Sequence, residues 1–329
     1  MFKKIAMVGL LIIFTVVLFA FTSLNPVLAE NDKVSLCLSF MKNAQFAGPF
    51  VAEYKGFYEE FGIDITIRPG GIQSNPIVMV AAGKDTFGSD APVSIIFARE
   101  QQMPLVAVAT IFQVHPAGIM FLKKSGIKEP KDFIGKRLMY MEGGLWTIIK
   151  AMFAHEGIPL DSITTIAAPP SMVPLYTGQA DGRNCFTTND PILAKLEGIE
   201  VDFLLAYDYG IKTTSDSLFT SEKIIKENPD LVRRFVEATL KGWAYALVNK
   251  EEALDIVMKV NPELDREHQR LYIEGMVPYI LTPESIMHGI GWMSRDTWVQ
   301  TQEMLLEFGG LPKPINIDEV FTLDFLPRK

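Results

Sequence analysis

Residues 34–68 constrain the fold more than any other stretch of this chain. Val34–Phe40 is a short apolar run with the length and bounds of a buried strand. A polar, aromatic-rich loop follows over Met41–Gly48. Pro49–Phe61 then sets Phe50, Val51, Tyr54, Phe57, Tyr58 and Phe61 on one face of an amphipathic helix. Pro49 suits a first helical turn, where its missing N–H costs nothing. Gly62 stops the helix, and Ile63–Arg68 reads as a second strand. Such a βαβ unit builds a parallel sheet. Open α/β sheets bind ligands outside the carboxyl ends of their strands, which makes the loop after the first strand a candidate site. It carries Phe40, Asn43, Gln45 and Phe46. Two flat rings and two amides suit a planar, hydrogen-bonding small molecule. The same residues also read as core aromatics and turn-forming amides.

The alternation continues. A Gly70-Gly71 turn leads to a helix over Asn75–Ala82, a short strand over Asp85–Gly88, and a helix over Val93–Glu100 opened by Ser89-Asp90-Ala91-Pro92. Leu105–Phe112 is almost wholly apolar, as a strand buried on both faces requires. From Gln113 the pattern restarts, with strands over Gly118–Leu122, Leu138–Met141, Ile163–Ala167, Gly182–Phe186 and Val201–Ala206. Helices are expected over Trp146–Glu156, Met172–Thr177 and Ile192–Glu197. From Leu218 onward the chain reads as mostly helical, with a long helix over Pro229–Val248 and an extended tail from Pro312.

Two segments look alike. Val80–Gly88 and Leu175–Gly182 each end a helix at a glycine, turn through an aspartate and start a strand. Each is followed by a helix with a proline near its start. This implies two α/β lobes on one plan: residues 30–112 with 212–329 as the first, and 113–211 as the second. Crossovers near Gln113–Ala117 and Tyr207–Ile211 are the expected hinge. Four loops then line the cleft, at Phe40–Phe46, Ser89–Pro92, Glu142–Trp146 and Asn189–Pro191. Three of them open helices, whose free N–H groups favour anions or carbonyl oxygens. The candidate ligand-binding residues are Phe40, Asn43, Gln45, Phe46, Gly71, Ser89, Asp90, Gln113, Glu142, Gly143, Trp146, Asn189, Asp190 and Tyr207. Asp90 and Asp190 read equally as helix caps, Trp146 as helix-to-sheet packing, Glu142 as a solvated loop charge, and Gly71 as a plain turn.

The N-terminus reads as an export signal. Lys3 and Lys4 precede an apolar run over Ile5–Phe21, and Val27-Leu28-Ala29 is a small-x-small cleavage site. Residues 1–29 are therefore expected to be a cleaved signal peptide, with an uncleaved anchor as the rival. No cysteine follows the signal, so lipid anchoring is not expected. The formal net charge of −8 argues against nucleic acid as a partner. Cys37 and Cys185 lie in apolar runs and read as buried free thiols, although export permits a disulfide. The four histidines are scattered without ligand spacing, so no metal and no cofactor is expected.

Several blocks carry a family resemblance: Asn43-Ala44-Gln45-Phe46-Ala47-Gly48, Lys55-Gly56-Phe57-Tyr58, Gly62-Ile63-Asp64, Pro69-Gly70-Gly71, the L-x-x-G-x-A-D run Leu175–Asp181, Asn189-Asp190-Pro191, and the Phe321–Leu326 tail. With them the chain resembles exported solute-binding proteins of ABC importers, in the pyrimidine-synthase-like group. That group includes pyrimidine-precursor and riboflavin binders and, more distantly, sulfonate and nitrate binders. The resemblance implies a bilobal type II periplasmic binding protein with a helical C-terminal part, acting as a monomer with permease and ATPase partners. Pyrimidine binders of the group carry Trp, Pro and His where this chain has Phe40, Lys42 and Phe46, and Gln45–Gly48 looks more like the riboflavin branch. The synthases carry a cysteine cluster that only Cys185 echoes, and a lysine and histidine at the positions of Asp90 and Ser94. The expectation is therefore a receptor for a planar heterocycle, riboflavin-like or an aminopyrimidine, and not an enzyme. The alternatives are a binder of a small anion such as a sulfonate or nitrate, a ligand sensor for a membrane kinase, or a synthase-like enzyme.

Overall fold

The computed structural model describes residues 31–71 and 74–327. The expected signal peptide lies outside the described residues. Among the described residues ten strands form two sheets: β1 Asp32–Cys37, β2 Ile63–Arg68, β3 Phe87–Asp90, β4 Leu105–Phe112, β5 Ala117–Leu122, β6 Arg137–Tyr140, β7 Thr164–Ala167, β8 Gly182–Phe186, β9 Val201–Leu205 and β10 Ser215–Ser221. The first sheet runs in the order β2-β1-β3-β10-β4 and the second β7-β6-β8-β5-β9. In each, three parallel strands sit beside an antiparallel one, which is paired in turn with the last strand. The antiparallel strands, β5 and β10, are the ones the chain enters on crossing from one sheet to the other. Those crossings occupy residues 113–116 and 206–214. The two sheets share one strand order, as the paired motifs around Gly83 and Gly178 imply.

The motifs also show why the aspartates are there. Asp181 accepts from the backbone N–H of Arg137 at 2.8 Å and holds that guanidinium through two further bonds of 3.0 Å. Asp85 makes the corresponding tie to Arg68 at 2.9 Å. Asp181 fastens the turn before β8 to the neighbouring β6, and Asp85 fastens the turn before β3 to β2, one strand beyond its neighbour β1.

Two expectations need correction. The helix expected over Pro49–Phe61 is two pieces, Ala47–Tyr54 and Phe57–Glu60, because Gly56 takes a left-handed φ of 74° and breaks the ladder. The C-terminal third is not helical from Leu218: β10 enters the middle of the first sheet there. Its sequence hid it, because Ser-Asp-Ser reads as a turn. Buried on both faces, the hydroxyls find partners inside, Ser217 with Thr110 at 2.6 Å and Thr220 with the Thr86 carbonyl at 2.7 Å.

The helix Pro229–Val248 packs closely on Ala47–Tyr54. A Cβ on Gly242 would stand 2.2 Å from the Gly48 carbonyl oxygen, so both glycines are required for the contact. This crossing anchors the helix that follows the Phe40–Phe46 loop. Cys37 and Cys185 are buried free thiols. Burial pushes the Cys37 thiol up to about 11. Among the described residues no helix is long and apolar enough to cross a membrane.

Candidate functional site

A cavity of about 700 Å³ is bounded by loops of both sheets. Its walls come from the carboxyl ends of the parallel strands, the position that open α/β sheets use for ligands. Ser39, Phe40, Asn43 and Gln45 follow β1, Asp90 ends β3, Met141 follows β6, and Asn189 and Asp190 follow β8. Strand β10 runs antiparallel, so its first residues, Ser215 and Asp216, arrive at the same edge.

The loop after β1 is held from within. Asn43 caps a short 3₁₀ turn, Ala44–Phe46, by accepting from the Gln45 backbone N–H at 3.0 Å. That turn aims the Gln45 side chain at Asp216, and its amide nitrogen lies 3.0 Å from both carboxylate oxygens. The Gln45 carbonyl oxygen accepts from the Tyr272 hydroxyl at 3.2 Å. With the amide fixed in this way, Phe40 is left 53% exposed at the cavity. Phe46 points the other way, into the core of the first sheet.

Charge is distributed unevenly. Asp90, Asp190, Asp216 and Glu197 line the cavity against one guanidinium, Arg183. Burial pushes the Asp216 carboxyl up to about 7, with Gln45 opposing and Asp90 adding to the rise. It pushes Asp90 up to about 6 against hydrogen bonds from the Ala91 N–H and Ser94. Asp190 is raised by burial too, opposed by the Phe186 N–H at 2.8 Å, by Arg183 and by Asn189. Arg183 donates to the Ser171 carbonyl at 3.0 Å and approaches the Met141 sulfur at 3.4 Å. Burial holds His115, in the first crossover, down at about 3, so its imidazole is neutral.

Phe40, Asn43, Gln45, Asp90, Asn189 and Asp190 come together at this cavity. The other sequence candidates lie elsewhere. Trp146 is buried in a stack on Tyr140, ring centroids 4.6 Å apart. Tyr207 carries the Lys212 ammonium over its ring at 3.5 Å. Gln113 binds the Thr110 and Trp292 carbonyls at 2.9 and 3.0 Å, fastening the crossover. Ser89 is buried within β3, paired with Leu218. Glu142, Gly143 and Gly71 are exposed and outside the cavity wall. The rings that do face the cavity with Phe40 are Tyr176, Phe186 and Tyr272. Tyr176 was within reach of sequence reading, inside the L-x-x-G-x-A-D block. Phe186 was visible only as a strand residue. Asp216 and Tyr272 carried no local signal, because distant chain segments bring them in.

The family described as NMT1/THI5 like matches residues 43–253. A riboflavin-binding protein, RibY, of Chloroflexus aurantiacus is 28% identical over 316 residues, covering 90% of this chain and 86% of its own. A formylaminopyrimidine-binding protein of Halalkalibacterium halodurans is 22% identical, covering 88% and 90%. A 4-amino-5-hydroxymethyl-2-methylpyrimidine phosphate synthase of Legionella pneumophila is 27% identical, covering 71% and 75%. Among solved structures, the periplasmic aliphatic sulphonate binding protein SsuA of Escherichia coli superposes with a TM-score of 0.71 at 16% identity, covering 90% of this chain and 94% of its own. The two sheets of common strand order with a helical C-terminal region are thus the type II periplasmic binding protein fold, and the chain belongs to the NMT1/THI5-like family.

Proposed function

We propose that this chain is an exported receptor that closes over a planar, hydrogen-bonding heterocycle, riboflavin-like or an aminopyrimidine, and delivers it unchanged to the permease and ATPase of an ABC importer. The observation that carries the reading is the half-exposed Phe40 ring, set with Asn43 and Gln45 on one side of a cavity of about 700 Å³. A ring stacked there gains about 0.5–1.5 kcal/mol beyond its buried area. The buried polar groups around it penalise analogues that leave them unpaired. The names borne by the riboflavin-binding and formylaminopyrimidine-binding relatives support the same ligand class. The carboxylates speak against a sulfonate or nitrate, since the lining offers four acidic side chains and one guanidinium.

In this reading residues 1–29 are a signal removed after Ala29, and the receptor works as a monomer outside the cytoplasm. Residues 30–112 with 212–329 form one lobe and 113–211 the other. Closure bends the crossovers at 113–116 and 206–214. Asn43, Asp90, Asn189 and Asp190 read the ligand's edges, while Gln45 is held on Asp216 and Tyr272.

Native mass spectrometry with riboflavin, aminopyrimidines and an alkanesulfonate tests this reading. The expected result is a one-to-one complex with a heterocycle below about 10 μM, with the ligand recovered chemically intact. Heterocycles that all fail while the sulfonate binds, or a ligand recovered as product, would overturn it.

A further inference from the structure

Asp216 stands out for its backbone as well as its position. Two non-glycine residues among those described have positive φ, Gln102 at 64° and Asp216 at 52°. Gln102 lies in an exposed turn, whereas Asp216 lies in a strand at 4% exposure. An L-residue there is uncommon and strained, and such strain persists where surrounding structure holds it. The sheet ladder holds its backbone on both sides, Ser215 against Phe112 and Ser217 against Asp90 and Thr110, and Gln45, itself fixed by Tyr272, holds both carboxylate oxygens. The result is a carboxylate on the cavity wall with no cation among its hydrogen-bond partners in the described residues.

Two further polar side chains of the lining carry atoms that are unpaired among the described residues. His115, 4% exposed, leaves Nδ1 without a hydrogen bond, and Arg183, 3% exposed, leaves Nε without one. Both side chains line the same cavity as Asp216. Buried polar atoms are nearly always paired with protein or ordered water, so both atoms are open to a polar partner from the cavity.

We propose that Asp216 is the specificity-determining acceptor of this cleft, and that it selects neutral or cationic ligands presenting clustered hydrogen-bond donors, amine N–H or hydroxyl O–H groups. This rests on the heterocycle reading above and sharpens it. A carboxylate has only acceptors to offer, so it favours an amino edge or a hydroxylated chain and repels an anion. Gln45 serves as the positioning residue, because its amide is committed to Asp216 and Tyr272.

The test uses the full mature chain, wild type and Asp216→Asn, with Asp216→Ser as a second variant should the first fail to fold. At pH 8, calorimetric titration is run with riboflavin, with lumichrome (the related ring system without the hydroxylated chain), and with 4-aminopyrimidine. Thermal melts of the unliganded proteins accompany it. The expected result is a loss of about tenfold or more in affinity for the donor-bearing probe. Loss confined to riboflavin relative to lumichrome identifies hydroxyls as the donors, and loss with 4-aminopyrimidine identifies an amine. The unliganded variant is expected to melt higher by about 2–4 °C, as when a strained functional charge is removed. A variant that melts lower, or that binds as tightly as wild type, overturns the assignment, since Asp216 is then a structural brace. Wild type binding none of the probes while the variant melts higher overturns the heterocycle reading and supports a functional Asp216.

Discussion

The half of the molecule built on the first sheet and the half built on the second share a strand order, a motif aspartate tied to arginine, and a proline-opened helix after the third strand. They part company at the cavity. The second half sets its buried carboxylate, Asp190, near Arg183, whose charge opposes the effect of burial. The first half contributes Asp90 and Asp216, whose opposing contacts are neutral: Ala91 and Ser94 for one, Gln45 for the other. The shared scaffold therefore places the cavity, while the charge around it is compensated unequally in the two halves. A carboxylate left without a cation is costly to the empty protein and useful to a filled one.

Removing the compensating cation should have the largest effect on stability. Arg183→Met strands Asp190 and the Ser171 carbonyl, and is expected to cost about 1–3 kcal/mol in urea melts at pH 7. A cost under about 0.5 kcal/mol, the range of ordinary surface substitutions, would mean that the two halves handle charge alike. Asp181→Ala should cost less, about 1 kcal/mol, because its bridge to Arg137 is partly exposed. If Asp181→Ala proved the more damaging of the two, the motif rather than the cavity would dominate the second half.

The first half should respond with the opposite sign. The Asp216 carboxyl is raised to about 7 in the fold, against roughly 3.9 for a free aspartate. Its contribution to stability is thus fully present below about pH 4 and is lost as pH rises through about 7. His115, held at about 3, works the other way, losing stability as pH falls below about 6.5. Only the difference between wild type and Asp216→Asn isolates the carboxylate. The variant's advantage in melting temperature should be greatest at pH 8 and shrink toward pH 5. An advantage independent of pH would assign it to relief of backbone strain instead.

Much of this was legible in the residues. Ile63–Arg68, Leu105–Phe112, Gly182–Phe186 and Pro229–Val248 fall where apolar patterning and helix signals put them. The loop after β1 was readable because ring and amide residues cluster within a few positions. What was hidden depends on distance in the chain. Asp216 meets Gln45 across 171 positions and Tyr272 meets it across 227, so neither partner leaves a local trace. Trp146 misled for the converse reason. A tryptophan near a helix start looks like a cleft ring until Tyr140, on the preceding strand, covers its face.

The central claim is that Phe40 offers its ring to a flat guest rather than to the core. Riboflavin titrated into wild type and Phe40→Ala, followed by flavin emission alongside unliganded melts, tests it most directly. The expected result is saturable quenching with wild type, weakened about tenfold or more in the variant, while the two melt within about 0.5 kcal/mol of each other. Equal quenching by both proteins, or a variant that loses its fold, would contradict it.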